Sequence, residues 1–217
     1  MLKFKKILAI ETSDELCSAA VLLTEKDFAE INFQKKFVHS EKLMPMISDL
    51  LKNSEVELND IGSIAVSIGP GSFTGLRIGL TVAKGLAAGR DISIIPVPTF
   101  DALAFQLSSV LPGGTEFIIA NNANINEIYF AKYKTENSTV KILKATTLLD
   151  KSEFSVYKNE TDLLFGNYMC RTDYFNLSSP TASAVAKWGY IFGKDLVTFD
   201  HDLLEPDYLK EFVVKRK

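Results

Sequence analysis

The sequence predicts an α/β protein of two related lobes, and three observations carry the expectation. Apolar runs of strand length alternate with amphipathic helical segments through the first half, in the order βββαβαβ followed by a further helix. After the turn-forming stretch Leu111-Pro112-Gly113-Gly114, three strand-length runs open the same order a second time. Between Ser67 and Gly89 a glycine-proline turn feeds a helix that keeps Gly75, Gly79 and Gly85 inside its body. The expected division is a first lobe over residues 1–110 and a shortened second lobe over residues 111–217.

Taken in order, Ile7 to Ile10 is a short apolar strand ending at the polar turn Glu11-Thr12-Ser13-Asp14. Cys17 to Leu23 returns as a second strand, and Ala29 to Val38 reads as a third. From Glu41 to Asn53, Leu43, Met44, Met46, Ile47, Leu50 and Leu51 fall within an arc of roughly 160° at helical spacing. Ser40 is the N-cap candidate, and Pro45 predicts either a late start or a bend. Ile64 to Ile68 and Ile92 to Val97 are fully apolar strands on either side of the glycine-bearing helix, and single strands separated by helices imply parallel crossovers. A helix from Phe100 to Ser109 closes the first half. The second half offers strands at Phe117 to Ala120, Glu127 to Lys134 and Val140 to Thr147, a helical piece at Asp150 to Tyr157, a strand at Asp162 to Phe165 and a helix at Thr181 to Phe192. Asn121-Asn122 takes the turn position that Glu11-Thr12 holds in the first half. The stretch from Leu204 to Lys210 reads as extended, because proline restricts both itself and its predecessor.

The glycine-bearing helix divides into three stripes on a helical wheel. Ile78, Val82 and Leu86 form an apolar stripe expected to cover the sheet. Gly75, Gly79, Ala83 and Ala87 form a small-residue stripe flanked by Leu76 and Leu80, and Arg77, Thr81 and Lys84 make the polar strip. Each interior glycine costs a helix about 0.5 to 1 kcal/mol relative to alanine, so the small-residue stripe predicts the close approach of another backbone. That neighbour is either the Leu43 to Leu51 helix of the same chain or a helix of another polypeptide.

Catalytic groups are scarce. The Gly69-Pro70-Gly71 turn invites a phosphate-loop reading, but Thr74 stands both where a Walker A loop needs its lysine-bearing end and where a dinucleotide fingerprint needs its third glycine. The two histidines, His39 and His201, form no metal-holding pair, and no nucleophile elbow or Cys/His arrangement is present. Glu11 is placed to hold Mg²⁺ through water, with Thr12, Ser13, Gly71 and Ser72 near a phosphate; the alternative is a set of ordinary turn residues. The corresponding positions in the second half, Asn121 and Asn122, are neutral and weak as metal ligands.

With 217 residues and 47% hydrophobic content the chain has ample material for a buried core. Its net charge of -3 argues against an intrinsic nucleic-acid binder, the one dense basic run being Lys215-Arg216-Lys217. Cys17 and Cys170 are too far apart for metal-ligand spacing, the first residues carry no signal-cleavage pattern, and no stretch is of membrane-spanning length. A cytoplasmic protein is the expectation.

Five stretches together resemble the bacterial TsaB (YeaZ) family. They are Ile10-Glu11-Thr12-Ser13, His39 to Ile47, Gly69 to Gly79, Ala83 to Ala87 and Pro206-Asp207-Tyr208-Leu209-Lys210, with Glu127-Ile128-Tyr129 the main anchor in the second half. The resemblance implies an actin-like fold, related to sugar kinases and Hsp70, of two ribonuclease-H-like lobes. It implies a part in forming N6-threonylcarbamoyladenosine at position 37 of tRNA, as the non-catalytic dimerisation subunit. The first two helices would bind a TsaD-like catalytic paralogue, a TsaE-like ATPase would join the pair, and the chain alone would form a homodimer. The interface residues so implied are Leu43, Met44, Ile47, Leu51, Gly75, Leu76, Gly79, Leu80, Ala83 and Ala87. No cofactor is expected on this chain alone, ATP or ADP would sit at the complex interface, and tRNA would be met only through the complex. Two departures from the family pattern stand out: Glu11 for the usual aspartate, and Asn121-Asn122-Ala123-Asn124 for an Asp-Ala-Arg-like turn. The rival reading is a small actin-like ATPase or phosphotransferase working through Glu11, Thr12, Ser13 and the Gly69 to Ser72 loop.

Overall fold

The computed structural model describes residues 5–137, 139–168 and 177–209; Cys170, Lys210 and the basic run 215–217 lie outside them. Two sheets organise the chain. The first has strand order β3-β2-β1-β4-β5, built from β1 (Lys6–Glu11), β2 (Leu16–Leu22), β3 (Phe28–Gln34), β4 (Ile61–Gly69) and β5 (Ser93–Pro98). The hairpin pairs β1-β2 and β2-β3 are antiparallel, and β1-β4 and β4-β5 are parallel, as the intervening helices require. This is the strand order of a ribonuclease-H-like lobe. The second sheet, β8-β7-β6-β9, joins β6 (Glu116–Asn122), β7 (Glu127–Glu136), β8 (Thr139–Asp150) and the short β9 (Leu163–Phe165). Its first strand pairs antiparallel with the next and parallel with the last, repeating the pattern around β1. The architecture is therefore the two-lobed α/β one.

Helices α1 (His39–Asn53) and α2 (Phe73–Ala87) cover one face of the first sheet. Leu43, Ile47 and Leu50 of α1 and Leu80 and Ala83 of α2 meet Leu8, Ile10, Ile64 and Val66 in one buried cluster. The start of α1 differs from expectation: it begins two residues before Glu41, with Val38 at the cap and no capping side chain, and runs through Pro45. In α2, Ser72 caps the helix by accepting from the Gly75 amide at 3.2 Å.

The chain crosses the expected 110/111 boundary twice. Helix α3 (Thr99–Ser108) packs Phe100, Leu103 and Leu107 against Phe117, Ile119 and Tyr133 of the second sheet. Helix α5 (Ala182–Phe192), expected to complete the second lobe, instead lays Ala182, Val185 and Ala186 on Ala9, Ala20, Leu22 and Ala65 of the first sheet. The reason is supply: the first sheet has two apolar faces, and α1 and α2 cover only one. The outer face of the second sheet is closed by aromatics, with Phe130 edge-on to Phe154 of the single-turn α4 (Phe154–Tyr157) and Phe154 edge-on to Tyr168.

Candidate functional site: the lobe junction and the two-helix face

The end of β1 is where the two candidate functions meet. Glu11 is completely buried, and both carboxylate oxygens are taken by the chain itself: Ser13 N–H donates to Oε1 at 2.5 Å and the Ser67 hydroxyl donates to Oε2. Burial pushes its carboxyl up to about 7, the hydrogen bonds from Ser13 and Ser67 opposing the rise. Within the chain the carboxylate is thus held by a backbone and a side-chain donor, at the turn where a Mg²⁺ role was expected. Thr12 and Ser13 are also buried. The Thr12 hydroxyl donates to the Gly75 carbonyl at 2.8 Å, and the Ser72 amide donates to the Ser13 carbonyl at 2.6 Å. The strand end and the N-terminus of α2 are thus stitched together.

That stitching accounts for two of the three helix glycines. A Cβ on Gly75 would lie 2.0 Å from the Thr12 carbonyl oxygen, and one on Gly79 would lie 2.3 Å from Thr12 Oγ1. At Gly71 it would come within 2.4 Å of the Ser13 carbonyl oxygen. The close backbone neighbour predicted for the small-residue stripe is therefore the chain's own β1 turn. Gly75, Leu76, Gly79, Leu80, Ala83 and Ala87 are all buried within the chain, and the assignment of α2's two apolar stripes is reversed. Ile78, Val82 and Leu86, expected against the sheet, form the half-exposed outer stripe.

Gly85 belongs to that outer stripe, seven residues on from Ile78, and it differs from the other two. It is exposed, and a Cβ there would meet nothing within 4 Å. On α1, Leu43 and Ile47 are buried, Leu51 is half-buried, and Met44 is 46% exposed. The two helices pack against each other, and Ile78 shares the wall of a 420 Å³ cavity with His39 and Ser40 at the start of α1. Of the interface residues expected from sequence, Met44 and Leu51 reach the surface, joined by Ile78, Val82 and Leu86, which the sequence reading placed inside.

Between the lobes, the positions that would answer Glu11 are also occupied. Asn121 donates to the Ser178 carbonyl at 2.6 Å and accepts from the Asn167 amide at 2.9 Å. Asn122 bonds Asn167 through backbone and side chain, and Asn167 reaches Asp14 at 3.2 Å. The asparagines work as structural connectors across the junction. His39 is buried with Nε2 3.2 Å from the Leu16 carbonyl, and among the described residues no group of three His, Cys, Asp or Glu side chains comes together to hold a metal. No helix of the described residues is long and apolar enough to cross a membrane.

Sequence reasoning read Leu204 to Lys210 only as extended and missed its seat. The Asp207 amide donates to the Ile68 carbonyl at 2.7 Å, and the Asp207 carbonyl passes so close to Gly69 that a Cβ there would lie 2.2 Å away. Tyr208 lies against Phe73, ring centroids 4.9 Å apart, and accepts from Arg77 Nε at 2.9 Å. Gly69 also has a φ of +130°, a backbone conformation that favours glycine.

Comparison with known proteins converges on one family. A family model described as "TsaD: tRNA N6-adenosine threonylcarbamoyltransferase" matches residues 35–184. Proteins named "tRNA threonylcarbamoyladenosine biosynthesis protein TsaB" are similar to the chain in several bacteria. That of Haemophilus influenzae is 38% identical over 130 residues, 60% of this chain and 54% of the relative. That of Escherichia coli is 36% identical over 135 residues, 62% and 58% respectively. In Buchnera aphidicola subsp. Schizaphis graminum the identity is 33% over 152 residues, 67% of this chain and 71% of the relative. The match thus spans little more than half the length of the first two relatives. In three dimensions YeaZ from Pseudomonas aeruginosa superposes with a TM-score of 0.78 at 24% identity, over 95% of this chain and 100% of that one, a likeness of fold.

Proposed function

The chain belongs to the TsaB (YeaZ) family, whose members are named for tRNA threonylcarbamoyladenosine biosynthesis, and from that premise we propose that it is the non-catalytic dimerisation subunit of the modifying complex. It binds a TsaD-like catalytic subunit through the outer faces of α1 and α2 and supports formation of N6-threonylcarbamoyladenosine at position 37 of tRNA. A TsaE-like ATPase joins the pair, ATP or ADP binds at the complex interface, and tRNA is reached through the complex. Without its partner the chain forms a homodimer through the same face. The complex works in the cytoplasm.

The observation that carries this reading is Gly85. A glycine within a helix costs up to about 0.5 to 1 kcal/mol, and Gly75 and Gly79 recover that cost against Thr12 whereas Gly85, in the last turn of α2, meets nothing inside the chain. Set in the half-exposed stripe of Ile78, Val82 and Leu86, it leaves a notch into which a partner's helix can pack closely. The enclosed carboxylate of Glu11 and the connector role of Asn121 support a structural rather than catalytic junction. Replacing Gly85 with alanine is expected to stabilise the isolated chain by up to about 0.5 to 1 kcal/mol in urea denaturation, because the helix gains propensity and the methyl meets nothing.

The function is tested by co-expression with the organism's TsaD-like protein, followed by size-exclusion chromatography and measurement of modified tRNA. Gly85→Leu and Ile78→Asp are expected to leave a folded chain that no longer co-elutes and no longer supports modification. A complex that survives both replacements overturns the interface, and modification that proceeds equally well without the chain overturns the function.

A further inference from the structure

The polar strip of α2, which the α1/α2 face does not use, lines a second cleft. Arg77, Thr81 and Lys84 stand four and seven residues apart on one side of the helix, opposite the extended segment that carries Glu205, Pro206 and Tyr208. The space between is a cavity of about 230 Å³. Arg77 is held in place: its guanidinium carbon lies 4.0 Å over the Phe73 ring and 5.9 Å from the Tyr208 centroid, and Nε donates to the Tyr208 hydroxyl. Lys84 reaches the Asp202 carbonyl at 3.4 Å. Among the described residues neither cation has a carboxylate within salt-bridge distance, although Glu205 lines the opposite wall. Two cations and a hydroxyl thus line the cleft, each cation holding one contact to residues 202–208 and neither paired with a carboxylate among the described residues.

We propose that the cleft between α2 and the C-terminal segment binds a phosphate group, taken between Arg77 and Lys84 over the Thr81 hydroxyl. Charge and acceptor number favour phosphate over carboxylate. A phosphate carries up to two negative charges on three or more free oxygens and can accept from both cations at once, whereas a carboxylate brings one charge on two oxygens. Glu205 sets the limit on affinity by repelling the same group. The site is independent of the partner-binding face and is tested on the isolated full chain, so it can fail without touching the proposed function.

The test is titration of the ¹⁵N-labelled chain, at constant ionic strength, with inorganic phosphate, with ADP and with a short unstructured oligoribonucleotide. Saturable shifts confined to the Arg77 to Lys84 face and residues 204–208 are expected with phosphate. Lys84→Gln should weaken binding about fivefold and Glu205→Gln should tighten it by a similar factor, each the worth of roughly one exposed charge contact. A gain of affinity in Glu205→Gln cannot arise from misfolding. Tighter binding of ADP than of phosphate assigns the group to a nucleotide, and tighter binding of the oligoribonucleotide assigns it to an RNA backbone. The site is overturned if phosphate leaves these resonances unmoved, or if both variants bind as the parent does.

Discussion

Gly75→Ala is expected to destabilise the isolated chain by about 3 kcal/mol, enough to lower its Tm by roughly 6 to 12 °C. Alanine is the better helix former, so propensity alone predicts the opposite sign. What decides is the neighbour. The added methyl would lie 2.0 Å from the Thr12 carbonyl oxygen, a backbone atom fixed by its place at the end of β1. The Thr12 hydroxyl is meanwhile bonded to the carbonyl of Gly75 itself, so the helix cannot slide away without breaking that contact. Urea denaturation of Gly75→Ala beside Gly85→Ala makes the comparison within one helix, where the same chemical change should have opposite signs. Equal effects at the two positions would mean that the β1 turn and α2 are not in the contact described.

Glu11→Gln is expected to remove a pH dependence worth about 3 kcal/mol, the free energy of raising a carboxyl from its ordinary 4.5 to about 7. The folded chain holds the Glu11 proton more tightly than the unfolded chain. Stability attributable to this residue therefore falls as pH rises from 4.5 to 7, stays at its full penalty above 7, and carries no penalty well below 4.5. Glutamine keeps the shape, accepting from Ser13 N–H through its carbonyl and donating its amide to a rotated Ser67 hydroxyl. The variant should be the more stable protein at pH 8 and nearly indistinguishable from the parent at pH 4. The difference between the two urea-denaturation profiles isolates Glu11 from the other titrating groups. A difference that does not change with pH would place the carboxylate in contact with solvent.

The elements were legible because each follows a local rule. The apolar runs of β1, β4 and β5 and the spacing of Leu43, Ile47 and Leu50 required nothing beyond a few residues of context. The stripes of α2 were legible as stripes, but not as inner and outer. An apolar wheel records which residues share a side, and both sides of this helix are apolar. What settles the matter is the Thr12 backbone, brought up by a turn more than sixty residues earlier in the chain. Helix α5 presents the same problem one level up, since a sequence of alanines and a valine fits either sheet and only the uncovered face of the first one selects it. The seat of Asp207 and Tyr208 was hidden for a different reason. An extended segment held by single contacts to Ile68, Gly69 and Arg77 has no periodicity to read.

The return of α5 to the first sheet has a consequence for how the protein is made. When the ribosome has released the residues of β1 to β5, α1 and α2 can close one side of that sheet, but Ala9, Ala20, Leu22 and Ala65 stay bare on the other until Ala182 to Ala186 have been translated. The lobe that begins first is finished last. A nascent chain of this protein therefore carries an open apolar wall from the completion of β5 until α5 is made, the condition under which chaperones engage. A stop codon anywhere before α5 should yield an aggregating fragment rather than a smaller folded lobe.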